Sequence, residues 1–144
     1  MGCLKAFIAF VLISAAAPLA AQAADFDGSK PLLCAVISIT ECTPNDGCQK
    51  TTLEETRMPQ FLKVDVPNKT ITPAPPIEGR KPTQIERMER VEGKLILQGA
   101  EDGVERVHDG LGWTAAISEE TGRFILSASG EEVAFVVFGA CIAQ

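Results

Sequence analysis

Residues 112–141 run GWTAAISEETGRFILSASGEEVAFVVFGAC, a pattern that three antiparallel strands satisfy and a helix does not. Short runs rich in Ile, Val and Phe, separated by turn residues, carry the hairpin signature. The strands are expected at 113–118, 123–129 and 132–140, with tight turns at 119–122 and 130–131. Side chains two apart along a strand project from one face. Trp113, Ala115 and Ile117 therefore share a side with Phe124, Leu126 and Ala128, and with Val133, Phe135, Val137 and Cys141. The opposite side mixes Thr114, Ser118, Arg123, Ser127 and Ser129 with Ile125, Val136 and Phe138. Partial cover by another segment is the simpler reading of that mixture; an exposed patch for a partner is the other.

The last of these strands ends at a cysteine, which directs attention to the other four. Cys3 lies in an N-terminal leader: Lys5 precedes an apolar run at 6–17, Pro18 breaks it, and Ala21-Gln22-Ala23 has the small-x-small form of a signal-peptidase site. The run is shorter than the roughly 20 residues a membrane-spanning helix needs. Cleavage after Ala23, or alternatively Ala24, leaves Cys34, Cys42, Cys48 and Cys141 in the mature chain, with no further span. An even number of cysteines in an exported chain implies disulfides. Four allow three pairings, and sequence alone does not choose among them. The turn-forming Thr-Pro-Asn-Asp-Gly between Cys42 and Cys48 favours that pair, and Cys34–Cys141 then closes nearly the whole mature chain. Zinc is a poor alternative, because the spacing contains no CxxC.

The expected organisation is a signal peptide at 1–23 and one disulfide-stabilised β domain at 24–144. At about 120 residues, the mature chain is long enough to bury roughly two-thirds of its unfolded surface. Lys5 is lost with the leader while all 19 acidic residues stay, so the mature charge is one unit more negative than the −6 of the whole chain. That balance argues against nucleic acid or an anionic membrane as partner.

Before residue 112 the signals are less uniform. The apolar run 32–39, rich in β-branched residues, reads as a strand buried on both faces, although periodicity does not separate it from a helix. Residues 43–59 read as a loop, with one helical turn near 53–58. A strand at 61–66 turns at Pro67-Asn68-Lys69 into another at 70–72, and four prolines then stiffen 73–82. Thr83-Gln-Ile-Glu matches a helical capping box. However, Glu92-Gly93 before Lys94-Leu-Ile-Leu-Gln98 favours a hairpin with 85–91 as its first strand. Residues 99–111 are turn-rich. The sum is seven or eight short strands and at most one or two short helices. The fold class is mainly β, an antiparallel up-and-down barrel or sandwich.

No reaction is written in this sequence. The lone His108, beside Asp109, reads as a solvated loop side chain, and the serines at 118, 127 and 129 lack a nucleophile elbow. Carboxylate pairs at 54–55, 101–102, 119–120 and 131–132 fall in loops or turns, with nothing to bring two pairs together. Asn45-Asp46-Gly47 is too short for a calcium loop, and no phosphate-binding glycine motif is present. The sequon Asn68-Lys69-Thr70 reads as a hairpin turn.

Phe26-Asp-Gly-Ser-Lys-Pro-Leu-Leu-Cys34, Leu95-Ile-Leu-Gln-Gly99, Gly112-Trp113 and Phe138-Gly-Ala-Cys141 resemble segments of small exported bacterial, periplasmic proteins of unassigned function. The resemblance implies compartment and a compact cysteine-stabilised β domain, and supplies no catalytic, metal or cofactor residues. The resulting expectation is a non-enzymatic periplasmic or secreted binding domain without cofactor. Its ligand would be an apolar small molecule seated among Trp113, Phe124 and Phe135. The alternative is a protein-interaction module or inhibitor of an exported enzyme, using the 73–82 loop or the Ile125/Val136/Phe138 patch on another envelope protein.

Overall fold

A computed structural model describes residues 26–103 and 109–144. The proposed leader and His108 lie outside the described residues. The described residues form ten strands and one helical turn: β1 Leu32–Thr43, β2 Gly47–Thr51, α1 Leu53–Thr56, β3 Phe61–Asp65, β4 Thr70–Pro73 and β5 Thr83–Gln84, then β6 Arg87–Val91, β7 Lys94–Glu101, β8 Leu111–Ser118, β9 Arg123–Ser129 and β10 Ala134–Ala143. All pairs are antiparallel, in the order β5-β4-β3-β1-β10-β9-β8-β7-β6, with β2 folded back on the far end of β1. The single sheet curls into a half-barrel. No helix among the described residues is long and apolar enough to cross a membrane.

Local chemistry accounts for the turns. Glu92 and Gly93 both take positive φ (47° and 72°), which gives the β6–β7 hairpin a twist that matches its strands. The Asp65 carboxylate accepts from the Asn68 backbone and side-chain amides at 3.1 and 3.0 Å, fixing the β3–β4 turn. A capping box holds α1: Thr52 Oγ1 accepts from Glu55 N–H, and Glu55 Oε2 accepts from Thr52 N–H at 3.0 Å.

The strand count exceeds the sequence estimate for two reasons. Residues 43–51, expected as loop, form a hairpin in which Cys42 faces Cys48. The 83–91 segment is extended, not helical, and it splits: Thr83–Gln84 pairs with β4, while Arg87–Val91 pairs with β7. Ile85, at the break between the two pieces, is buried. The two outermost strands are therefore consecutive pieces of one segment that spans the gap between the sheet edges.

The core lies on the concave face. Leu32, Leu95, Leu97, Ile117 and Val137 are the most deeply buried apolar side chains, with Cys34 among them. Alternation holds through β8 and β9 and over Val137–Cys141 of β10, whose first three residues are uniformly half-buried. It breaks in β1, where a bulge between Val36 and Ser38 leaves Ile37 72% exposed. This strand is not buried on both faces as its apolar run suggested. Partial cover of the outer face is likewise not found among the described residues: Phe138 and Ile125, register partners on β10 and β9, are 42% and 49% exposed.

Both disulfides join residues directly opposed on neighbouring strands, Cys34–Cys141 across β1–β10 and Cys42–Cys48 across β1–β2. The first unites the initial and final strands, but in the middle of the sheet and not at its edges. Two such bonds point to an oxidising, non-cytoplasmic compartment.

Candidate functional site

The two ends of the half-barrel differ. At one end the interior is filled by Leu32, Cys34, Val66, Leu95, Ile117, Phe124 and Cys141. The lead-in to β1 seals this end. Phe26 lies against Gly122 in the β8–β9 turn, and Gly28, at φ 78°, lies against Leu95 of β7 and Val66 just after β3. A side chain at Gly28 would collide with both, and its left-handed backbone also favours glycine. Arg90 ties the seal down. Its Nη2 donates to the Asp27 carbonyl at 2.6 Å, and its Nε meets Glu119 Oε1 at 2.9 Å. The Ser29 side chain and backbone hold the Asp27 carboxyl below the usual carboxylate range.

The other end is hollow. Its cavity, of about 180 Å³, is walled by Ile39, Leu62, Ile71, Trp113, Leu126, Ala128, Phe135 and Val137 from the sheet. Thr56, Met58 and Pro59 contribute from the α1–β3 connection, and Arg80 and Thr83 from the proline-rich crossing. Arg80 Nη1 donates to the Arg57 carbonyl at 3.3 Å, linking these two loops at the mouth. Thr83 Oγ1 donates to Glu101 Oε1, joining β5 to β7 across the gap. Small engineered cavities of about 150 Å³ stay dry and accept benzene. This space suits one aromatic ring or a short branched alkyl group, and falls below the roughly 300 Å³ at which pockets begin to hold drug-sized molecules.

Trp113 and Phe135, both singled out from sequence, stand in this wall. Phe124 does not: it belongs to the filled end, where its ring packs over Gly139. Trp113 sits opposite Gly99 on β7, and the edge of its indole that includes Cε2 and Cζ2 covers the glycine beside the Gln84 carbonyl. A side chain at position 99 would strike both. The indole is 7% exposed, and among the described residues its Nε1 has no hydrogen-bond partner. It is the only such buried side-chain nitrogen or oxygen among them.

The rim residues Thr56, Met58, Pro59 and Thr83 escaped the sequence reading, which met Arg80 only as part of the 73–82 loop offered to a protein partner. They come from a single helical turn, a two-residue strand and the loops beside them, too short for periodicity to mark direction, so the sequence offered no signal for them. The cysteines lie apart from the cavity: Cys34–Cys141 at the filled end, and Cys42–Cys48 in the hairpin beyond Ile39. Among the described residues, no three His, Cys, Asp or Glu side chains are arranged to hold a metal ion. Compared with known proteins, the chain matches no family model, no curated protein and no solved structure.

Proposed function

We propose that this chain is a non-enzymatic binding domain, exported to the periplasm or secreted, that takes a small apolar group into the open end of its half-barrel. One observation carries the reading. The sheet is packed solid at one end and hollow at the other, and the hollow is lined by Ile39, Leu62, Ile71, Trp113 and Phe135. A concave apolar cavity with a few polar rim groups is the ordinary form of a small-molecule site. Export is supported by the leader pattern and the two disulfides.

Toluene, matched to the cavity in size, tests the proposal on the oxidised mature protein. Trp113 is the sole tryptophan, so its emission reports on the wall directly. A saturable emission change, accompanied by a rise in melting temperature, is the expected result. A linear response without any rise in melting temperature would overturn it.

A second reading has its own support. Ile37, Phe138 and Ile125 form an exposed apolar row on the outer face of β1, β10 and β9, and such patches mark protein-interaction surfaces. On this reading the chain is an interaction module or inhibitor of an exported enzyme. Affinity capture from envelope extract should then lose its partner with Phe138→Ser; identical recovery by wild type and variant counts against the patch.

A further inference from the structure

We infer that the convex outer face of the sheet docks on an anionic phospholipid surface, with Ile37, Ile125, Phe138 and Ile142 reaching past the headgroups. This role is independent of the cavity and its ligand, and it gives the outer face a different occupant from the protein partner considered above. Strand register builds the patch. Phe138 of β10 faces Ile125 of β9, which faces Ala116 of β8, which in turn faces Ile96 of β7. On its other side Phe138 faces Ser38 of β1, beside the bulged Ile37. Ile142 lies on the same face of β10 and is opposite Leu33. This row therefore crosses five strands, β1 and β10 to β7, without a charged residue. Ile37 and Ile142, at 72% and 62% exposure, are its most open members.

Cations surround that row. Directly opposed residues share a face, so Lys63 opposite Leu33, Arg123 opposite Ala140 and Lys94 opposite Ser118 all belong to the outer side. Lys50 and Arg87 stand at the two ends of a further row that runs through Thr40, Val136, Ser127, Thr114 and Gln98. Among the described strand residues only Asp65 and Glu89 bring negative charge to this face, a surplus of three cations. The chain as a whole carries −6. Its carboxylates gather in turns and loops, as at 119–120 and 131–132, so the net charge that argued against an anionic membrane does not describe this surface.

The occupant follows from shape and charge together. Apolar side chains ringed by Lys and Arg suit a headgroup boundary, where the former enter the apolar layer and the latter meet phosphate. A second copy of the chain would set these cations against their own equivalents, which is unfavourable. A protein partner would need a concave acidic surface to follow a sheet that curls away from it. Lipid headgroups are fluid and rearrange around a convex face.

Flotation of the oxidised mature protein with vesicles tests the assignment. Vesicles of phosphatidylglycerol and phosphatidylethanolamine in equal parts should carry the protein up, less so as salt is raised, and phosphatidylcholine vesicles should not. Lys63→Gln with Arg123→Gln should weaken partitioning by about thirtyfold, the scale of two surface cations at an anionic leaflet. Phe138→Ser with Ile142→Ser should release the protein. Lys69→Gln with Lys81→Gln removes the same charge from exposed positions off the strands and should change little. Equal flotation with both lipids, or equal loss from the two lysine-containing pairs, would overturn the inference. Absence of flotation with either lipid would overturn it in favour of a protein partner. A dimer in sedimentation that Phe138→Ser dissociates would overturn it in favour of a second copy. None of these outcomes alters the cavity reading, which toluene tests separately.

Discussion

Ile85 and Glu86, consecutive in sequence, donate their backbone N–H groups to opposite edges of the sheet, Ile85 to the Lys69 carbonyl and Glu86 to the Gln98 carbonyl, each at 2.9 Å. A single bend in the chain thus bridges the gap that a curled sheet would otherwise leave, and it occupies edges that would be open to pairing with other chains. Ile85 anchors the bend by burying its side chain. Ile85→Ala should cost about 2–4 kcal/mol, as measured by urea denaturation. Hydrogen exchange should quicken together in β4 and β6 while β1 and β10 keep their protection. Uniform loss of protection would show that the bend is not a separate seam.

The two disulfides should differ in weight. Cys34–Cys141 closes a loop of 107 residues and Cys42–Cys48 one of 6. In the chain-entropy account these stabilise by about 5 and about 2 kcal/mol respectively. Replacing Cys34 and Cys141 with alanine should lower the urea midpoint far more than replacing Cys42 and Cys48. Equal losses would mean that constraint of the unfolded chain is not what matters.

Two isoleucines on adjacent strands test which face is inside. Ile117 on β8 is 1% exposed, whereas Ile125 on β9 is 49% exposed. Ile117→Ala should destabilise by about 2–4 kcal/mol and Ile125→Ala by less than about 1 kcal/mol. Similar losses at both sites would mean that the outer face is covered in solution.

Acid should weaken the fold through its turns and cap. The Asn68 side chain and backbone hold the Asp65 carboxyl below its ordinary value; Thr52 and Thr51 do the same for Glu55, and Ser29 for Asp27. A carboxyl depressed by folding lends stability that is present above its unfolded pKa and is lost as pH falls through its folded one. The urea midpoint should be flat from pH 6 to 5 and decline below about pH 4.5. Asp65→Asn should make that decline shallower. All three groups sit at the surface, so each effect is small and weakens with salt. A midpoint that rises on acidification would contradict this assignment.

The β8–β10 block was legible because each strand has one wet face and one dry face, so alternation encodes direction residue by residue. The β1 bulge was not legible, since Val36 and Ile37 are equally apolar although one is buried and the other exposed. The site shows a related gap. Trp113, Phe124 and Phe135 share a face, which their parity reveals, but parity says nothing of position along the barrel axis. Phe124 therefore fell at the filled end while the other two met in the hollow.

By itself, the sequence determined the antiparallel class, the inward face of the last three strands and the hairpin turn at Glu92-Gly93. All of these follow from near neighbours: side-chain alternation, turn chemistry and short spacings. Only the tertiary structure decided that the sheet would part between β5 and β6, that residues 26–28 would seal one end, and that Arg80, Met58 and Thr83 would converge on the other. Those outcomes depend on sheet curvature and on contacts between segments far apart in the chain, and no local pattern of residues encodes either.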